Sequence, residues 1–240
     1  MCPLESDPRV NRLLAVLPDE EWQRLQPQLE RVDLRLGQVL CEAGGEIQYV
    51  FFPTTAIVSL LCLTESGAST EVGVVGNEGV VGISLLMGGE NTPNRAIVQC
   101  AGQAYRLRGQ VFKDEFHQSA PLMHLLLRYI QALITHMAQT AVCNRHHCLD
   151  QQLCGWLLYN LDRLKSNELV MTQELIANML GVRREGVTEA ALKLQKLGLI
   201  SYARGHISVL DRAGLEQRAC ECYSVVKKEY DRLLPDQVAA

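Results

Sequence analysis

From Leu122 to Ala141 the chain runs without a glycine, and its apolar residues follow helical spacing on two faces. Leu126, Ile130, Leu133, Met137 and Thr140 fall at alternating steps of four and three, the spacing of a seam between two helices. Leu125, Tyr129 and Ala132 form a second apolar stripe beside it. A helix apolar on two faces must bury both. One face is expected to pack on its own domain and the other on a second copy of the chain, with Leu126, Ile130, Leu133 and Met137 at the dimer interface. A fully buried helix in a monomer is the alternative.

The segments on either side have different patterns. Residues 1–30 read as helical, with Val10, Leu13, Leu14 and Leu17 at helical spacing and Trp22, Leu25 and Leu29 following the Pro18 break. From Arg31 to about Phe112 lie most of the glycines, between short runs rich in Val and Ile. These runs are Val32–Leu36, Tyr49–Phe52, Ile57–Leu61, Thr70–Val75 and Ala96–Cys100. Short strands between glycine turns predict a small antiparallel β-roll. Leu149 to Pro235 reads as mainly helical. The expected class is α+β. Its parts are a β-roll sensor domain over 1–120, a dimerisation helix and hinge over 121–148, and a winged helix-turn-helix domain over 149–240.

Composition narrows the function. With 48% hydrophobic and 21% charged residues, the chain has enough apolar content to form a packed core. Its apolar runs stop well short of a membrane span. The start, Met1 to Val16, carries Glu5, Asp7, Arg9 and Arg12 and no apolar signal core, so a cytoplasmic protein is expected. Nine cysteines, an odd number, then read as reduced thiols. A net charge of −4 does not exclude nucleic acid, since a DNA reader needs only a local basic surface.

The segment Met171–Ile200 carries the most specific signal. Thr172 is placed to cap a short helix whose inner face is Leu175, Ile176 and Met179, with Glu174 in the first turn opposing the helix dipole. Gly181 stands where the chain must leave that helix, in the left-handed conformation that glycine tolerates. A second helix is expected from near Arg183, with Val187, Ala191, Leu194 and Leu197 inward and Arg183, Arg184, Glu185 and Thr188 towards its exposed start. This is the pattern of a helix-turn-helix, whose second helix offers its first turn to the major groove. Arginine there can bond guanine O6 and N7 together, and glutamate can accept from a cytosine amino group. Leu199–Tyr202 and His206–Val209 flank Ala203-Arg204-Gly205 and read as a two-stranded wing with Arg204 near its tip. From 171 to 210 there are five Lys/Arg against three Asp/Glu, so this segment is positive within a negative chain.

Roll, long helix and winged helix-turn-helix in this order resemble the Crp/Fnr family of transcription regulators over nearly the whole chain. The stretch Gly-Val-Arg-Arg-Glu-Gly-Val-Thr from Gly181 is similar to the family's Gly-x-x-Arg-Glu-x-Val motif. The resemblance implies base contacts from Arg184 and Glu185, and phosphate contacts from Thr172 and Gln173. It also implies a homodimer on near-palindromic double-stranded DNA, and leaves RNA polymerase open as a further partner. Glu189 stands where many members carry arginine, so a different half-site is expected. The resemblance further implies a sensory site in the roll, at Gly82, Ile83, Asn94 and Arg95. Cyclic-nucleotide binders of the family carry Gly-Glu and then Arg-Ser/Thr-Ala. Ile83 cannot accept a ribose hydrogen bond, and Arg95 sits one place late beside Ala96, a step that turns a strand side chain to the other face. Cyclic AMP is therefore not the expected effector. No cofactor is assigned, and an unidentified small-molecule effector stays open.

A second constellation competes for attention. Cys143, His146, His147 and Cys148 lie at the end of the long helix, and Cys143 and His147 share a helical face. Thiolate and imidazole suit zinc or haem iron, which gives an alternative reading as a ligand, redox or haem/metal sensor. The sequence offers no second C-x-x-C or H-x-x-x-H pair to complete four ligands, so no metal is assigned. On a continuous helix, Cys220 and Cys222 would diverge by about 200°. Only Cys2 falls in the first 40 residues, which disfavours the family's iron-sulfur type. No phosphate loop, nucleophile elbow or His-Glu-x-x-His occurs, so an enzyme is not expected.

Overall fold

The computed structural model describes residues 7–164 and 166–234, so Cys2 lies outside the described residues. The chain divides into two compact units. One comprises the chain through Val58, Val75–Ala132 and the segment from Tyr230; the other comprises Ser59–Val74 and Leu133–Glu229.

In the first unit, short helices α1 (Arg12–Ala15) and α2 (Asp19–Leu25) precede the strands. Asn11 caps α1: its Oδ1 accepts from the N–H groups of Leu13 and Leu14. Its Nδ2 donates to the carbonyls of Pro53 (2.9 Å) and Gly79 (2.8 Å), so a fully buried amide is satisfied on both sides. The strands of the roll are β1 (Glu30–Leu34), β2 (Val39–Cys41), β3 (Tyr49–Pro53), β4 (Ile57–Leu63), β5 (Ser69–Val75), β6 (Arg95–Cys100) and β7 (Gly102–Arg108), of which β4 and β5 lie mostly among the residues of the second unit. One sheet has the order β1-β7-β3, antiparallel throughout, with Val32 opposite Ala104 and Phe52 opposite Tyr105. Strand β2 pairs antiparallel with β6, Val39 lying opposite Ile97. The sequence pattern located five of these seven strands. It passed over β2, which is three residues long, and β7, where Gln103, Arg106 and Arg108 break the apolar run.

Helices α3 (Gly109–Gln118) and α4 (Ala120–His146) follow. Tyr129 of α4 is fully buried and donates its hydroxyl to Val80 O at 3.2 Å. Gly79 makes room for it: a Cβ there would lie 2.5 Å from the Tyr129 hydroxyl oxygen. The long helix runs five residues beyond the expected Ala141. The proposed seam residues sit differently from expectation. Leu126 is 0% exposed, Leu133 2% and Ile130 8%, so they are covered within the single chain. Met137 is half-buried. The large apolar side chains that α4 leaves in solvent are Leu127, Ile134 and Val142. The second stripe is covered as well, with Leu125 at 4% and Tyr129 and Ala132 at 0% exposure, so the chain's own core takes both stripes.

The second unit continues with α5 (Leu149–Leu161), β8 (Glu168–Val170), α6 (Gln173–Leu180), α7 (Arg184–Lys196), β9 (Ile200–Ala203), β10 (His206–Val209), α8 (Arg212–Arg218) and α9 (Glu221–Leu233). Its core includes Leu153, Leu157, Ile176, Val187, Leu194, Ile207 and Leu215, each at most 1% exposed. The boundary between units falls inside α4, whereas the sequence set breaks at 120 and 148. Residues 59–74 side with the helical unit, within which Trp156 Nε1 donates to Glu71 Oε1 at 3.1 Å. Leu133 and Met137 also lie over Gly73, where a Cβ would meet them at 3.4 and 3.8 Å. Among the described residues no helix is long and apolar enough to cross a membrane.

Candidate nucleic-acid interface

Thr172 caps α6 as its position predicts, its Oγ1 accepting from Leu175 N at 3.2 Å. Ile176 and Met179 are buried and Leu175 half-buried, giving the short helix its inner face. Gly181 ends the helix at φ 66°, ψ 33°, the left-handed cap that glycine adopts without a Cβ penalty. Helix α7 then begins, with Arg183 at its N-cap. Val187, Ala190, Ala191 and Leu194 are buried. Leu197, expected inward, is 50% exposed because α7 ends at Lys196 and the chain turns there.

The leading turn of α7 is open to solvent. Arg183, Arg184, Glu185 and Glu189 are all exposed, while Thr188 is half-buried. Thr188 Oγ1 donates to Gln173 Oε1 at 2.7 Å and lies 3.1 Å from Arg184 O, so α6 and α7 are bonded to each other at this end. Glu189 pairs with Lys193 at 3.2 Å, and Asp150 reaches the same ammonium at 3.5 Å. The Glu189 hydrogen bond, joined by the Asp150 charge, holds Lys193 above its ordinary pKa. The carboxylate at the position of the family arginine is thus paired within α7, sharing its cation with Asp150.

Strands β8, β10 and β9 form the wing sheet, in that order. Sequence reasoning found β9 and β10 but missed β8, whose Glu168-Leu169-Val170 is too short to show a pattern. Ala203 pairs with His206, and the two residues between them, Arg204 (φ 51°) and Gly205 (φ 82°), both have positive φ. Two such residues make the tight primed turn that suits the twist of a hairpin. Arg204 is the only non-glycine residue with positive φ among the described residues, and it is exposed at the wing tip.

Thr172, Gln173, Glu174, Arg184, Tyr202, Arg204 and Gly205 line one open groove of about 470 Å³. The helix cap, the leading turn of α7 and the wing therefore converge on one concave face. Tyr202, which no sequence pattern singled out, donates to Met171 O at 2.8 Å and fixes the wing against the start of α6. Burial raises its hydroxyl pKa, with the nearby Arg184 charge opposing, so the phenol stays a donor near neutrality.

The expected effector positions are arranged otherwise. Gly82, at φ 104°, precedes a short 3-10 helix (Ile83–Met87), and a Cβ on it would press on Val50 Cγ1 at 3.0 Å. Arg95 opens β6, with Asn94 just before it, and its Nη2 bonds Glu42 Oε1 at 2.9 Å. Arg95 thus already has a carboxylate partner.

At the end of α4 the structure separates the four residues of the Cys/His cluster. His146 and Cys148 are exposed. Cys143 and His147 instead meet Cys220 and Cys222, and the four donor atoms all lie within 4.8 Å of one another. The expectation that Cys220 and Cys222 diverge fails for a local reason. Cys220 precedes α9, after Ala219 has left α8 in extended conformation, so helical periodicity does not apply between them. Burial, reinforced by the neighbouring thiols, raises the pKa of Cys143 well above its usual value and that of Cys222 to about 11.

Comparison with known proteins agrees with this geometry. A family model described as a Crp-like helix-turn-helix domain matches residues 151–218, and one described as a cyclic nucleotide-binding domain matches residues 31–119. No curated protein matches the sequence. Among solved structures, a putative Crp/Fnr-family regulator from Eubacterium rectale aligns with a TM-score of 0.67 and 19% identity. The alignment covers 84% of this chain and 94% of that one. FixK2 from Bradyrhizobium japonicum aligns at 0.69 and 15% identity, over 80% and 98%. CLP from Xanthomonas campestris, described as a c-di-GMP-responsive global regulator, aligns at 0.63 and 13% identity, over 80% and 99%. At these identities the likeness establishes a common fold.

Proposed function

This chain is a member of the Crp/Fnr family of transcription regulators, and from that premise we propose that it binds a near-palindromic DNA site as a homodimer, without control by cyclic AMP. The reading rests on the exposed leading turn of α7: Arg183, Arg184 and Glu185 stand in solvent while Val187, Ala191 and Leu194 anchor the helix behind them. Arg184 and Glu185 read base edges, with Thr188 beside them. Thr172, Gln173 and Arg204 flank them and take backbone phosphates. Two copies related by a two-fold axis place two such turns about 34 Å apart, one turn of duplex. Glu189, already paired with Lys193, adds no positive base contact, which supports a half-site unlike that of arginine-bearing relatives.

The pairing of Arg95 with Glu42 favours an effector other than cyclic AMP. The likeness in fold to a c-di-GMP-responsive regulator is consistent with such a departure. A DNA-reading role without catalysis accounts for the groove, and RNA polymerase is the partner through which such a regulator would act on transcription.

Selection from a random duplex pool tests the reading. The wild-type chain should enrich a two-fold symmetric site, and Arg184→Ala should lose about 1–3 kcal/mol on that site and relax preference at one base pair of each half. Recovery of no common sequence, or an Arg184→Ala protein with unchanged affinity and preference, would overturn it.

A further inference from the structure

The four-residue cluster in the second unit has the dimensions of a metal centre. Zinc bonded to sulfur at about 2.3 Å and to imidazole nitrogen at about 2.05 Å in a tetrahedron sets its ligands about 3.8 Å (sulfur to sulfur) and about 3.6 Å (sulfur to nitrogen) apart. Here the sulfurs of Cys143 and Cys220 are 3.5 Å apart, and Cys222 Sγ is 3.6 Å from His147 Nδ1. A disulfide would bring the two sulfurs to about 2.05 Å, far closer than they are.

The surroundings fit a ligand set held in advance. The Gln152 side-chain amide donates to Cys143 O (3.3 Å) and His147 O (2.9 Å), fixing the turn that presents both residues. His147 points Nδ1 at the thiols and Nε2 at Glu221 Oε2, 3.4 Å away. A carboxylate behind the far nitrogen of a ligating histidine is the usual second partner in such sites, fixing the tautomer and raising ligand basicity. Cys220 and Cys222 are 5% and 2% exposed. Cys143, Cys220 and Cys222 also line an adjoining cavity of about 50 Å³.

We propose that Cys143, His147, Cys220 and Cys222 bind one zinc ion in a tetrahedron of three sulfurs and one nitrogen, tying the end of α4 to the start of α9. Binding displaces the three thiol protons and leaves three thiolates and a neutral imidazole around the dication, a centre of net charge −1. All four protein ligands are present, so the centre is closed to substrate and structural in kind. It requires nothing of the DNA-reading turn, and its test does not involve DNA.

The test uses the full chain, stripped with a chelator under reducing conditions and titrated with Zn²⁺ against a chromophoric competitor, and in parallel with Co²⁺. One zinc per chain is expected, and the cobalt form should show tetrahedral d–d bands with thiolate-to-metal charge transfer. Cys220→Ser and Cys222→Ser should each weaken zinc binding by at least about a hundredfold, more than loss of an outer partner costs. Glu221→Gln should weaken it about tenfold. Cys148→Ser, at an exposed thiol outside the cluster, should change nothing. Should the serine variants not fold, the wild-type cobalt spectrum decides: weak octahedral bands without charge transfer overturn the proposal. So does a Cys143–Cys220 disulfide in freshly isolated protein that retains no zinc.

Discussion

Trp156 donates its indole N–H to Glu71 Oε1 across 3.1 Å, and the two side chains are almost completely buried together. Burial is the main influence on this carboxyl and raises its pKa to about 7, while the Ser59 hydroxyl, the Trp156 indole and the Arg163 guanidinium pull the other way. Below pH 4.5, the ordinary value, folded and unfolded chains both hold the proton. Between there and pH 7 the unfolded chain gives it up and the folded chain keeps it. Stability therefore falls as pH rises through this window, by up to about 3 kcal/mol, and levels off above it. Glu71→Gln retains the acceptor for Trp156 and cannot titrate. Urea unfolding at about pH 4.5 and about pH 8 should show the variant gaining on the wild type by about 3 kcal/mol. A gap independent of pH would show that the carboxyl ionises equally in both states. Buried His136, held down to about 3 by burial and by Arg163, has the opposite trend, losing stability as pH falls below 6.5. It is common to both proteins and cancels.

Gly181 gives a test of the turn between α6 and α7. Its φ of 66° would cost alanine roughly 1–2 kcal/mol, and the added Cβ would sit 2.5 Å from Thr70 Oγ1. Gly181→Ala should therefore destabilise the chain by about 2–4 kcal/mol. Adding Thr70→Ala should restore the steric part and leave the backbone part, roughly 1–2 kcal/mol, in place. If the double variant is no more stable than the single one, Thr70 is not what crowds this turn.

The helix-turn-helix was legible in the sequence because each device in it is local. A cap at Thr172, a left-handed glycine at 181, an apolar inner face and a two-residue turn at Arg204-Gly205 are all fixed within a few residues. The metal-like cluster was not legible, because Cys143 and His147 meet Cys220 and Cys222 only through tertiary packing, some 75 residues away. The one local rule applied there, helical divergence of Cys220 from Cys222, failed because Cys220 lies before the helix. Tyr202 was missed for a related reason: nothing within the wing signals that its hydroxyl reaches Met171 O.

Arg184 and Arg204 border the same groove, yet they should fail differently when removed. A wing-tip cation that meets phosphate contributes equally on every sequence and releases counterions. Arg204→Ala should weaken binding uniformly across sites and reduce the dependence of log K on log salt by about one. Arg184→Ala should change base preference. Affinity measured on two unrelated duplexes across a salt series separates the two. Sequence-dependent loss from Arg204→Ala would place the wing tip at a base edge.

The buried and the exposed apolar faces of α4 make separate predictions. Leu127 and Ile134, seven residues apart and 47% and 54% exposed, share a face, with Val142 (44%) trailing on the same side. If this face carries the dimer contact, Ile134→Asp buries an unpaired carboxylate in the interface and should shift the chain from twice its 26.8 kDa mass to a monomer. The folded protomer should be little affected, since that side chain is already in solvent. Leu126→Ala acts on the stripe covered within the chain, where deletion should cost about 2–5 kcal/mol of stability and leave the oligomer intact. Light scattering for mass and urea unfolding for stability distinguish the two variants. The opposite assignment, with Leu126→Ala dissociating the protein and Ile134→Asp leaving it dimeric, would return the seam to Leu126, Ile130, Leu133 and Met137. That would require α4 to move off the core that now covers them.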